Sequence, residues 1–124
     1  MLTENSFEEK IRIARLYDCY GKLLTDRQKS CMERYFYEDL SLAEISEELN
    51  VSRQAIHDML KRSEQLLEKY ENKLNFLDKK KLENKKLKEV KQKLDIVSRD
   101  NNLSGNHEIT EIINILTEIS SEDW

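Results

Sequence analysis

The sequence predicts an all-α protein: a helix-turn-helix with a long helix and a helical C-terminal extension. Three observations carry this. The 124 residues include no proline and two glycines, where average usage would give roughly six and nine. That removes the residues from which hairpins and Gly-rich phosphate loops are built. Ser or Thr repeatedly stands just ahead of an apolar pattern of helical period. Finally, residues 42–60 place apolar side chains as a short helix, a three-residue turn and a second helix require.

The elements follow in order. Ser6 can cap a first helix, with Glu9 in the capping-box position. Its apolar stripe is Phe7, Ile11, Ala14 and Tyr17, widened by Ile13, Leu16 and Tyr20. Gly21 is expected as a left-handed stop. Thr25 with Gln28 opens a second helix, which presents Met32, Tyr35 and Phe36 and ends near Glu38-Asp39. Ser41 with Glu44 opens a short third helix carrying Leu42, Ile45 and Leu49. Asn50 tolerates the left-handed conformation. Val51 and the cap Ser52 lead into a long helix from Arg53.

In that helix Ile56, Leu60, Leu67, Tyr70, Leu74 and Leu77, with Ser63 in the gap, alternate four and three apart. Such a heptad seam can pack on the first two helices or join two copies. A homodimer through this seam or the later helices is the expectation. The seam is expected to fail at Asp78-Lys79-Lys80-Lys81. A further helix over 82–98 carries Leu87, Val90, Leu94 and Val97. A linker runs from Asp100 to Asn106, and a last amphipathic helix is expected at about 107–119.

Charge divides the chain in the same places. Residues 1–77, the expected helix-turn-helix domain, carry 12 basic and 15 acidic side chains. Residues 78–100, a Lys-rich helical segment, carry 9 and 5, and the acidic tail 101–124 carries none and 5. The total is −4. The basic stretch 79–93 is either a solvated helix face or an electrostatic contact to RNA or DNA.

Several chemistries are disfavoured. No run of 18 apolar residues exists, so no membrane insertion is expected. The opening MLTENSFEEK lacks the apolar core of a signal peptide. Cys19 and Cys31, 12 apart among apolar residues, read as buried thiols in a reduced cytoplasm. His57 and His107 are the only histidines, and no Cys, His or carboxylate cluster has metal-ligand spacing. No catalytic residue, metal or cofactor is expected.

The functional signal lies in the helix-turn-helix. Ile45, Leu49, Val51, Ile56 and Met59 form its core, and Ser46 is small where the helices approach. The second helix turns Arg53, Gln54, His57, Lys61 and Arg62 outward. Arg and Gln near a helix start suit bidentate contact with guanine and adenine edges, so Arg53, Gln54 and His57 are expected at bases. Ser52, Lys61 and Arg62 are expected at phosphates. Against this stand the acids Glu38, Asp39, Glu44, Glu47 and Glu48 and a pI near 5.3.

The tract TDRQKSCMERYFYEDLSLAEISEELNVSRQAIHDMLKRSEQLLEKYE resembles region 4 of bacterial sigma factors over about residues 22–71. No counterpart of sigma region 2 stands upstream. A longer tract, IRIARLYDCYGKLL followed by TDRQKSCMERYFYEDLSLAEISEELNVSRQAIHDMLKR, resembles the YlxM family over most of residues 6–77. That resemblance implies a five- or six-helix protein with a regulatory or accessory role in the signal recognition particle pathway. Three functions follow as expectations: a nucleic-acid-binding regulator, a non-enzymatic adaptor for signal recognition particle protein or RNA, or a structural dimer with a vestigial binding face.

Overall fold

The structure, a computed structural model, describes residues 6–103 and 105–120. The segment before Ser6, linker residue Ser104 and the tail after Ser120 lie outside the described residues. The fold is all-α. Among the described residues six helices run α1 (Phe7–Tyr20), α2 (Asp26–Phe36), α3 (Leu42–Leu49), α4 (Arg53–Leu74), α5 (Phe76–Asp100) and α6 (His107–Ile119), with a 3-10 turn at Gly21–Leu23. The chain divides into two compact units, Met1–Leu77 and Asp78–Trp124.

Helix starts in the first unit follow local side-chain chemistry. The Ser6 hydroxyl accepts the Glu9 N–H at 3.2 Å. Thr25 with Gln28 and Ser41 with Glu44 form complete capping boxes, each satisfying donors that a helix start leaves orphaned. Ser52 accepts the Ala55 N–H at 3.0 Å. Asn50 ends α3 at φ 56°, ψ 46°.

Gly21 departs from its expected role. Its backbone is right-handed, φ −55° and ψ −31°, and its N–H continues the ladder to the Tyr17 carbonyl. What excludes a side chain is space: a Cβ there would lie 2.9 Å from the Tyr17 ring. That ring is held by the Tyr17 hydroxyl donating to Glu33 at 2.8 Å.

The heptad seam belongs to the chain's own core. Ile56, Leu60, Ser63, Leu67 and Leu77 are fully buried, with Leu16, Tyr20, Cys31, Met32 and Ile45. Leu67 and Leu77 are therefore unavailable to a second copy. Of the remaining seam residues, Tyr70 is half-buried and Leu74 is partly exposed. The seam also breaks earlier than expected. Asn75 turns left-handed at φ 57°, ending α4, and α5 restarts at once with Phe76. The Lys-rich run at 79–81 lies inside α5 and interrupts nothing.

Glu71 explains the break. Its carboxylate is 2% exposed. It accepts the Tyr20 hydroxyl at 2.5 Å and the Leu77 N–H at 3.0 Å. The Tyr20 oxygen in turn accepts the Phe76 N–H at 3.1 Å. The two side chains thus satisfy two backbone donors that the new helix start would leave without partners. One turn earlier on the same face of α4, Arg12 of α1 donates two bonds to Glu68, at 3.0 and 2.9 Å. Cys31 is buried as expected, and burial raises its thiol pKa; Cys19 is half-buried rather than buried, on the half-covered side of α1.

Helix α5 is 25 residues long, all but its first two in the second unit, and a left-handed Asn102 follows two residues past its end at Asp100. Asn106 caps α6 by accepting the Ile109 N–H at 3.1 Å. Ile113 of α6 shares a cleft with Asp95, Ser98 and Arg99 of α5.

Candidate nucleic-acid interface

The candidate surface is the first three turns of α4. The left-handed Asn50 and the Ser52 cap aim this helix away from α3, while Ile45 and Ile56 lock the pair from inside at zero exposure. Val51 closes the turn, its N–H donating to the Ser46 carbonyl at 3.1 Å. Residues three and four apart on a helix share a face. Arg53, His57 and Lys61 accordingly form one row, with Gln54 beside it.

Arg53 and Gln54 are exposed at the helix start. Gln54 is not idle: its Nε2 donates to Asp58 Oδ1 at 2.9 Å. His57 is half-buried, and its Nδ1 is enclosed without a hydrogen-bond partner; the same Asp58 oxygen stands 3.6 Å away. Asp58 therefore sits between two of the side chains expected at bases. It repels phosphate, yet it holds the Gln54 amide in place and can itself accept from a cytosine amino group. Its i, i+4 spacing from Gln54 is the mark it leaves in the sequence.

Lys61 and Arg62 line different clefts. Successive helix positions point about 100° apart. Lys61 lines a cleft of about 520 Å³ toward α1, with Glu9, Arg12 and Glu68. Arg62 lines another toward the start of α2, with Thr25, Arg27 and Gln28. Arg27 is thus a second cation beside Arg62, at the positive end of α2. No spacing in the sequence joins positions 27 and 62; only the α2–α4 crossing does.

Part of the acidity of α3 is engaged in structure. Glu44 closes its capping box, and Glu48 accepts Arg34 Nε at 2.6 Å. Glu47 stays exposed. Among the described residues no group of three or more His, Cys, Asp or Glu could hold a metal, and no helix is long and apolar enough to cross a membrane.

Residues 7–112 match the model of the UPF0122 family, described as "Putative helix-turn-helix protein, YlxM / p13 like". The chain belongs to the UPF0122 family. A UPF0122 protein of Clostridium novyi is 46% identical over 114 residues, covering 92% of this chain and 94% of the relative. One of Desulforamulus reducens is 54% identical over 84 residues, 68% and 72% of the two chains. One of Bacillus licheniformis is 49% identical over 89 residues, 72% and 82%. UPF0122 membership covers both the helix-turn-helix and most of the C-terminal unit.

Proposed function

We propose that this UPF0122 protein binds nucleic acid through the start of α4, as a non-enzymatic cytoplasmic regulator linked to the signal recognition particle pathway. The observation that carries the reading is the exposed Arg53–Gln54 pair on the Ser52-capped first turn. There the helix dipole and free N–H groups also favour phosphate. Arg53, Gln54 and His57 meet bases. Ser52, Lys61 and Arg62 meet phosphates, with Arg27 joining Arg62. A homodimer suits this reading, because two recognition helices read two half-sites.

A second reading is an adaptor that binds signal recognition particle protein or RNA. The exposed lysines of α5, among them Lys79, Lys85, Lys86, Lys88 and Lys93, favour it.

Titration against duplex DNA and a structured RNA at two salt concentrations tests both. Arg53→Ala with Gln54→Ala is expected to weaken duplex binding by about 1–3 kcal/mol for each base-reading side chain removed. Unchanged affinity overturns base reading by α4. A salt slope that falls only when the α5 lysines are neutralised supports the adaptor.

A further inference from the structure

The two helices of the C-terminal unit carry matched patterns of opposite charge. On α5, Val90 and Val97 stand seven residues apart, flanked by Lys86 and Lys93 at the same interval. On α6, Ile112 and Ile119 stand seven apart, flanked by Glu111 and Glu118, with Ile115 between. Seven residues advance an α-helix by about 10.5 Å, so both rows repeat with one pitch. Val90, Val97, Ile112, Ile115 and Ile119 are 42–57% exposed. An apolar pair bordered by charge at heptad spacing is the pattern of one helix meeting another, the flanking charges selecting the partner.

The two rows do not meet within one chain. Where α6 approaches α5 it does so through Ile113, over Asp95, Ser98 and Arg99. Val90 and Val97 lie on the other side of α5, and Ile112, Ile115 and Ile119 form the uncovered edge of α6. Lys86 and Lys93 have no ion-pair partner among the described residues. Among the described residues Glu111 pairs with the exposed His107 alone, at 3.2 Å.

We infer that this surface binds a second copy of the chain, the Val90/Val97 row of one α5 packing on the Ile112/Ile119 row of the partner's α6. A two-fold axis makes each contact twice, giving a bundle of two α5 and two α6 helices with lysines opposite glutamates. Both halves of the complement occur on the same chain, as a self-complementary two-fold interface needs. The inference rests on the homodimer reading above and replaces the buried α4 seam as its interface.

Sedimentation of the full chain at two salt concentrations provides the test, with circular dichroism to check that each variant is folded. The wild type is expected to be a dimer that weakens with salt. Lys86→Glu with Lys93→Glu is expected to raise the dimer dissociation constant about tenfold or more, as is Glu111→Lys with Glu118→Lys. All four changes in one chain are expected to restore the dimer. A monomeric wild type overturns the homodimer itself. A dimer indifferent to both charge reversals keeps the homodimer and overturns this surface. Loss of the dimer without restoration in the four-fold variant overturns the lysine–glutamate pairing.

Discussion

Tyr20 and Glu71, 51 residues apart in sequence, meet through a 2.5 Å hydrogen bond inside the first unit. The phenol is the donor, and the buried carboxylate also holds the Leu77 N–H. Tyr20 is further packed by Tyr70 and Phe76, at ring-centroid distances of 6.0 and 6.2 Å. This pair fixes where α4 ends and α5 begins, so it can be tested as one structural unit.

Tyr20→Phe keeps the ring and removes the hydroxyl. It leaves the Phe76 N–H without its acceptor and takes one of two donors from Glu71 Oε1, which keeps the Leu77 N–H, at a cost of about 2–3 kcal/mol. Urea unfolding followed by circular dichroism reads this directly. A loss below about 0.5 kcal/mol, the usual scatter of surface changes, would remove the pair from the account of the helix break.

The same hydroxyl gives a pH dependence. Burial, and then the bond to Glu71, raise the Tyr20 pKa to about 12, against about 10 for an unfolded phenol. The protonated phenol is the form the fold favours. Its stabilisation is therefore full below about pH 10 and declines as pH rises from there toward 12. Tyr17 shifts to about 12 and Tyr37 upward as well, for the same first cause. Unfolding midpoints measured from about pH 9 upward are expected to fall, and Tyr20→Phe to flatten part of that fall. An identical slope in the variant would contradict the assignment.

The two glycines are expected to respond oppositely to alanine. At Gly21 the new methyl meets the Tyr17 ring, and about 1–3 kcal/mol of stability is lost to overpacking. At Gly105 nothing lies within 4 Å of the added carbon. There alanine is neutral or adds up to about 1 kcal/mol by restricting the unfolded chain. Thermal unfolding of the two variants side by side decides it.

Asn50 makes the turn of the helix-turn-helix with φ at 56°. Asn50→Gly is expected to fold with unchanged or slightly higher stability, since glycine takes this conformation without steric cost. Asn50→Val is expected to lose about 1–2 kcal/mol or more, because its branched Cβ clashes there. Equal stabilities for the two would mean that the left-handed turn is not retained.

Asp58 offers a gain-of-binding test. Asp58→Ala removes a negative charge from the α4 surface and frees the Gln54 amide. Affinity for duplex DNA at low salt is expected to rise several-fold, with less effect at high salt. Weaker binding would instead give Asp58 a direct contact of its own.

Helix starts are legible in the sequence because each rests on one side chain and the backbone three residues on, as at Ser6, Thr25, Ser41 and Ser52. The turn at Asn50 is legible for the same reason. The break at Asn75 is hidden by the seam itself: Leu74 and Leu77 keep helical spacing across it, while the groups that settle it, Tyr20 and Glu71, lie on different helices. Gly21 misleads because glycine serves both left-handed turns and close approaches, and the neighbouring ring is visible only in three dimensions. On the candidate surface, the row Arg53, His57 and Lys61 follows from helical geometry. The divergence of Lys61 from Arg62 follows from it too, once neighbours are separated by angle instead of grouped by charge. Arg27 cannot be reached that way.

Cys31 has zero exposure, with its sulfur 3.2 Å from that of Met59, and its thiol is pushed toward the unreactive protonated form. Cys19, on α1, is half-buried. A thiol reagent applied to the unaltered protein therefore meets two different clocks. Modification of Cys19 times the breathing of α1, and modification of Cys31 times the opening of the packing beneath α4. A nucleic acid that settles on α4 should slow the second clock by mass action, so the protein carries its own chemical stopwatch for occupancy, with no label added.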